Sequence, residues 1–186
     1  DNVPAVALPQ ATVVPAPAVT SLQARAALLR RICAARGLTE TVGFSFVAQD
    51  DAALFGDVPE TQHLLNPIAT DLDQLRPTPL INLARALSRN LARGRGLSGE
   101  GALFEVGPSF DATGQHLRLA GLRAGLTARG PGVAAHEATL WDAKADLSAA
   151  LVALGVPEAA LSVTADAPGF YHPGRSGQVR QGPKMV

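Results

Sequence analysis

The chain has 186 residues, and its sixteen basic and sixteen acidic side chains give a formal net charge of zero. That balance speaks against a general nucleic-acid binder, whose affinity comes from a basic excess that neutralises phosphates, and confines any such contact to a local patch. A single cysteine, Cys33, excludes an internal disulfide framework and a Cys-based zinc site, and no apolar run approaches the roughly 20 residues of a membrane span.

No signal peptide is recognisable, so the cytoplasm is the expected location. The chain opens on Asp1-Asn2-Val3-Pro4 without a start methionine and stops at Lys184-Met185-Val186, where an apolar stretch begins. Both ends lead us to expect a fragment of a longer protein. Residues 1–19 hold four prolines among alanines and valines. Proline fixes φ and biases its predecessor towards extended backbone, so this segment reads as an extended linker.

The spacing of Leu22, Ala26, Leu29 and Cys33, widened by Leu28 and Ile32, predicts a first helix from Ser21 to Arg36. Thr20 and Gln23 form its capping box and Gly37 stops it. From Thr41 to Val47, Val42, Phe44 and Phe46 alternate with Gly43 and Ser45, the pattern of a strand with one buried face. Asp50 to Phe55 reads as a short helical turn closed by Gly56, and Gln62 to Leu65 as a short strand. Asn66 to Pro79 carries proline, Asx and Thr turn chemistry. Thr78 and Pro79 then open a second helix with the apolar stripe Leu80, Leu83, Leu87 and Leu91. Strands follow at Ala102 to Val106, interrupted by Glu105, and at Leu117 to Thr127, where Gly121 and Gly125 mark a bulge or close approach. Asp111 to Gly114 is the hairpin turn between them. A third helix spans Asp142 to Leu154, with Leu147, Leu151 and Leu154 on its apolar side, and strands at Leu161 to Thr164 and Ser176 to Arg180 complete the pattern. Strands adjacent in sequence and joined by short turns favour a largely antiparallel sheet carrying helices, an α+β fold.

Several chemistries can be tested on this order. Asp166, His172 and Ser176 lie close together, but no nucleophile elbow accompanies them, which disfavours a hydrolase triad. His63, His116, His136 and His172 lack metal-ligand spacing. Gly94-Arg-Gly-Leu-Ser-Gly99 is glycine-rich without the lysine ending of a phosphate loop. Arg85, Arg89 and Arg93 recur every four residues and share one helix face, either a solvated face or a contact for phosphates or an acidic partner. Two segments resist a purely structural reading: Asn66-Pro67-Ile68-Ala69-Thr70-Asp71 with Leu75-Arg76, and His172-Pro173-Gly174-Arg175-Ser176, a tight turn presenting a histidine and an arginine.

At these residues a family resemblance emerges. Thr41-Val-Gly-Phe-Ser-Phe-Val47, Leu65-Asn-Pro-Ile68 with Asp71 and Leu75-Arg76, Leu103-Phe-Glu-Val-Gly107, Lys144 with Asp146, and His172-Pro-Gly-Arg-Ser176 occur in the order found in the beta subunit of bacterial phenylalanyl-tRNA synthetase. The sequence resembles that family over essentially all 186 residues. The resemblance implies a class II synthetase-like antiparallel sheet flanked by helices, with residues 1–19 a linker from a preceding domain and 20–186 a catalytic-like core truncated at its C-terminus. Ala27 to Val47 looks like the first class II motif, with Gly43-Phe44-Ser45 where that motif carries a proline. Leu103 to Asp111 looks like the second motif, which ends Phe-Arg-x-Glu and whose arginine grips the ATP α-phosphate. Here Asp111 follows Phe110, and neither Ala112 nor Thr113 restores the acid. The third motif, Gly-x-Gly-x-x-Arg, is absent.

The resemblance therefore implies no catalytic residue and no metal ligand in this chain, and a degenerate second motif of Phe104, Glu105, Gly107, Phe110 and Asp111. Arg76, Arg85, Arg89, Arg93, His172 and Arg175 become candidate interface or tRNA contacts. ATP and magnesium belong to the whole enzyme and not to this segment. The implied partner is the alpha subunit, which carries the activation site, in a heterotetramer of two alpha and two beta chains that charges tRNA with phenylalanine. Domains for tRNA binding and editing would precede this segment, and an anticodon-binding domain would follow it. A competing reading keeps the chain as a nucleic-acid-binding module that uses the Arg85, Arg89 and Arg93 face with Arg175.

Overall fold

A computed structural model describes residues 4–7, 17–56, 58–94, 101–127, 132 and 134–185. Of the 1–19 segment, residues 4–7 and 17–19 form no helix or strand and are exposed, and the rest lies outside the described residues. So does the glycine-rich run beyond Gly94.

Helix α1 (Ser21–Ala35) begins where its capping box places it. The Gln23 N–H donates to Thr20 Oγ1 at 3.2 Å and the Thr20 N–H to Gln23 Oε1 at 2.9 Å. The expected strand from Thr41 to Val47 does not form. Instead β1 (Thr39–Glu40) and β2 (Phe46–Val47) lie on either side of residues 41–45. The two short strands belong to different sheets, so the intervening segment crosses between them and its alternation buries no face. Val42 is 92% exposed and Phe44 65% exposed.

Helix α2 (Gln49–Ala53) follows, then a single 3-10 turn (Glu60–Gln62) where a strand from Gln62 to Leu65 was expected. Only His63 there makes a bridge, to Gln74. Strand β3 (Gln74–Leu75) pairs antiparallel with β2, and helix α3 (Leu80–Ala92) starts behind Thr78, whose Oγ1 accepts the Leu80 N–H at 3.3 Å. Its buried residues are Ile81, Leu83 and Leu87, while Leu91 at the end of the expected stripe is exposed.

The long hairpin of β4 (Ala102–Asp111) and β5 (Gly114–Arg123) is the centre of the fold. β4 pairs antiparallel with β5 and parallel with β1, so the three-stranded sheet runs β1-β4-β5. The first predicted strand was too short, and the second began too late and ran past Arg123: the hairpin closes through Ala112 and Thr113 alone, with Asp111 paired to Gly114. β5 ends before Gly125, whose φ of +70° breaks the strand ahead of β6 (Leu126–Thr127).

Successive β4 side chains point to opposite faces, and a helix covers each face. Ala102, Phe104 and Val106 pack with Ala26, Cys33 and Leu38 under α1. Leu103 packs with Leu83, Leu87 and Ala120 under α3. This double cover explains why β4 reads as an apolar run rather than an alternation. Glu105 shares the α3 side with Leu103, so a carboxylate enters a leucine-lined layer.

Strand β7 (His136–Glu137) pairs with β6, and helix α4 (Leu140–Ala153) is capped by Asp142, which accepts the Thr139 N–H at 2.9 Å and the Thr139 hydroxyl at 2.7 Å. Asp146 clamps α4 to the rest. It takes Arg36 Nε at 2.6 Å and Arg123 Nε and Nη2 at 2.5 and 3.1 Å. β8 (Leu161–Thr164), β9 (Gln178–Gln181) and β10 (Lys184–Met185) make a second antiparallel sheet. Five of the six strand pairings among the described residues are antiparallel. No helix of the described residues is long and apolar enough to cross a membrane.

Candidate functional site: the degenerate second motif

Phe104, Glu105 and Gly107 lie on the buried part of β4. Glu105 is 3% exposed and meets Arg76, which is 0% exposed. The guanidinium donates from Nη2 to Oε1 at 2.6 Å and from Nη1 to Oε2 at 3.1 Å. Arg76 Nε donates to the Pro108 carbonyl at 2.9 Å, and Nη1 also reaches Asn82 Oδ1 at 3.1 Å. Buried charges are tolerated when they are paired and hydrogen-bonded, and this pair is. The Arg76 backbone extends the link, because its N–H donates to Ser45 and its carbonyl accepts the Phe110 N–H, both at 3.0 Å.

Two glycines follow from this network. A Cβ on Gly107 would lie 2.6 Å from Arg76 Nη2 and from Glu105 Oε1. One on Gly43 would lie 2.7 Å from Asn82 Nδ2, which donates to the Phe44 carbonyl at 3.2 Å. Leu75-Arg76, Phe104-Glu-Val-Gly107 and Gly43 are separate in sequence, yet they are one buried polar cluster. The sequence reading put Arg76 among candidate contact residues. Wholly buried and committed to Glu105, it has no surface to offer a partner.

Asp111 closes the hairpin. Its Oδ1 accepts the Thr113 N–H at 2.9 Å and the Thr113 hydroxyl at 2.5 Å, with His116 Nε2 at 3.1 Å. Arg118 Nη2 donates to Oδ2 at 3.1 Å, and Arg118 Nε donates to the buried Ser109 Oγ at 2.7 Å. The Thr113 hydrogen bonds, aided by His116, hold the Asp111 carboxyl well below the usual carboxylate range. Each carboxylate oxygen is thus spent on the turn itself. Phe110, half-buried, precedes it.

The remaining candidates lie apart. Arg85 is ion-paired with Asp51, which removes it from a free basic stripe; Arg89 and Arg93 are exposed on the same helix side. His172 and Arg175 sit in an exposed turn of the β8–β9 connection. Ser176 Oγ donates to the His172 carbonyl at 2.7 Å rather than to its ring, and Asp166 is engaged by Thr164 and Arg180, so no triad assembles. Among the described residues no group of three or more His, Cys, Asp or Glu side chains converges.

The structural frame and the sequence agree with known proteins. The model of the phenylalanyl tRNA synthetase beta chain CLM domain matches residues 5–186. The chain belongs to that family. It is 96% identical over its whole length to a phenylalanine–tRNA ligase beta subunit from Gluconobacter oxydans (strain 621H), and 47% identical over 98% of its length to one from Rhodospirillum rubrum. It spans 23% of the length of each of these relatives. Among solved structures, a pyrrolysyl tRNA synthetase from Desulfitobacterium hafniense superposes with a TM-score of 0.56 at 18% identity, over 89% of this chain and 56% of that chain. At that identity the likeness concerns the fold, which is the expected class II synthetase-like α+β arrangement.

Sequence reasoning singled out Glu105 and Arg76 in different motifs and did not join them. It missed Asn82, Ser109 and Arg118 altogether and weighed His116 only as a metal ligand. The one available signal was a glutamate inside an apolar strand, which demands a buried cation.

Proposed function

We propose that this chain is the non-catalytic, class II-like module of a phenylalanine–tRNA ligase beta subunit. It scaffolds an alpha subunit that carries the active site in the ATP-dependent charging of tRNA with phenylalanine. The observation that carries this reading is Asp111. At the position where the second motif places an arginine for the ATP α-phosphate, a carboxylate stands, and it is consumed by Thr113, His116 and Arg118 in a turn of two connecting residues. These residues do not fit ATP: a triphosphate would meet negative charge at the place that must grip it. No step through ATP or magnesium is therefore derived for this chain.

The scaffold reading draws further support from exposed apolar side chains on loops leading into β2 and β3: Val42 and Phe44 on one, Leu65, 100% exposed, and Ile68 on the other. Exposed apolar side chains of this size are what a partner can cover. The domain division of linker 1–19 and core 20–186, the cytoplasmic location and the assembly of two alpha with two beta chains belong to the same proposal.

The test has two arms. Purified alone, the chain gives no ATP–pyrophosphate exchange; measurable exchange overturns the non-catalytic assignment. Co-expressed with a phenylalanine–tRNA ligase alpha subunit, it co-purifies with it, and Val42→Asp with Phe44→Asp weakens that association. Absence of any association overturns the scaffold.

A further inference from the structure

The loop between β8 and β9 is held at its base and its tip, yet it presents open ring faces and an arginine that meets no partner among the described residues. At the base, Thr164 Oγ1 and Arg180 Nη2 both engage the Asp166 carboxylate, and Arg180 Nε donates to Thr164 Oγ1 at 3.2 Å. Further along, the Tyr171 N–H donates to the Pro168 carbonyl at 3.0 Å. The tip is closed by three bonds: Arg175 N–H to the His172 carbonyl at 3.1 Å, Ser176 Oγ to that carbonyl at 2.7 Å, and Gly174 N–H to His172 Nδ1 at 3.0 Å. Because His172 Nδ1 is an acceptor, the ring carries its N–H on Nε2.

The Phe170 ring sits 5.1 Å from Phe55, which seats the loop on the body, and the Tyr171 ring sits 4.5 Å from Phe170. Both loop rings remain open, at 41% and 45% exposure. The chain has only eight aromatic residues, and three of them converge here. The exposed Arg175 guanidinium meets no carboxylate and no hydrogen-bond acceptor among the described residues.

We propose that Phe170, Tyr171, His172 and Arg175 form a binding site for an unpaired nucleotide of an RNA strand. Arg175 and His172 Nε2 take phosphate oxygens, and a base lies against the open face of the Phe170–Tyr171 pair. The guanidinium fork matches phosphate oxygens and donates charge-assisted bonds to them. Half-open rings suit any base, since every base has a π-face, and a side chain reaches that face only where the base is unstacked. A carboxylate partner would use the two donors but leave the rings idle. The zero net charge accords with a contact this local, and with Arg85 spent on Asp51 the loop is a better site than the α3 face. This inference stands beside the scaffold reading: loss of RNA binding leaves co-purification with an alpha subunit unchanged, and the converse holds.

The experiment is fluorescence anisotropy of a short labelled oligoadenylate titrated with the full chain at several salt concentrations. Saturable binding is expected. Arg175→Ala weakens it about tenfold and lowers the salt slope by roughly one. Tyr171→Ala weakens it about tenfold with the slope unchanged, and Arg175→Lys is intermediate. Arg89→Ala with Arg93→Ala has no effect. On the unsubstituted chain, the oligoadenylate shifts the His172 imidazole NMR signals, a readout that needs no variant to fold. Absence of saturable binding, indifference to both Arg175→Ala and Tyr171→Ala, or dependence on Arg89 and Arg93 overturns the proposal. So does displacement of the RNA by an acidic peptide as effective as unlabelled RNA, which would assign the site to a protein partner.

Discussion

Arg76 and Glu105 meet through two hydrogen bonds, at 2.6 and 3.1 Å, in a layer where neither side chain reaches solvent. The pair joins the β2–β3 region to the central strand, and its surroundings are built to its shape. Removing one partner strands a buried charge, which costs more than the pair contributes. Glu105→Ala is expected to destabilise the chain by about 3–5 kcal/mol in urea unfolding. The double variant Arg76→Met with Glu105→Leu should lose less than Glu105→Ala alone. A double variant as unstable as the single would show that the pair contributes favourable energy of its own.

The glycines beside this network give a coupling test. Gly43→Ala forces a methyl group into the Asn82 amide and is expected to cost about 1–3 kcal/mol. In an Asn82→Ala background, which removes the amide but keeps a Cβ 2.9 Å from the new methyl, the same substitution should cost less, so the two effects are not additive. Gly107→Ala has no such escape, because its neighbours are the ion pair itself. It should be the more damaging of the two glycine variants. Equal and additive losses would mean that the contacts around Asn82 do not set the backbone at Gly43.

Asp111 makes a prediction about acid. Its folded carboxyl titrates below the ordinary value of 3.8, chiefly through the Thr113 hydroxyl and N–H. A depressed pKa contributes stability that is fully present above the unfolded value and is lost as pH falls through the folded one. Carboxyl-carbon NMR should find the Asp111 midpoint below the usual carboxylate range, and Thr113→Ala should raise it. A midpoint unmoved by Thr113→Ala would remove the hydroxyl as the main cause. Asp111→Arg is expected to unsettle the hairpin, because it removes the acceptor shared by Thr113, His116 and Arg118, and to yield no ATP–pyrophosphate exchange.

Local features were legible in the sequence and tertiary ones were not. The Thr20–Gln23 box depends on residues three apart, so the α1 start came out as read and the α3 start fell within one residue, whereas α4 begins at Leu140, ahead of the expected Asp142, which serves instead as the acid of its capping box. Glu105 stood out in its apolar strand, but Arg76 lies 29 residues away and nothing short of the fold brings them together. The alternation from Thr41 to Val47 was real and misleading, because it assumed one continuous strand where the backbone passes from the β4 edge to β3. Asp111 drew notice only against the class II pattern; its role as the turn's own cap needed Thr113, His116 and Arg118 placed around it.

Cys33 and Asp146 give the last prediction. The thiol is buried under α1, and burial, followed by the Asp146 charge, pushes its pKa up from 9.0. Below that value both folded and unfolded thiols are protonated and the stabilisation is complete. As pH rises past it, the unfolded thiol ionises first, so stability falls until the folded thiol ionises as well. A stability profile measured from neutral to alkaline pH should therefore carry a descending component that Cys33→Ala removes. Thiol-specific labelling should be negligible in the native chain and prompt in urea. Asp146→Asn leaves Arg36 and Arg123 without their shared carboxylate, which is expected to cost roughly 1–3 kcal/mol and to lower the Cys33 pKa, because the two arginines are then opposed by Glu40 alone. Native-state labelling should consequently speed up in Asp146→Asn. If labelling stays slow while stability falls by that amount, Asp146 is a mechanical clamp on α4 with no electrostatic reach to the thiol.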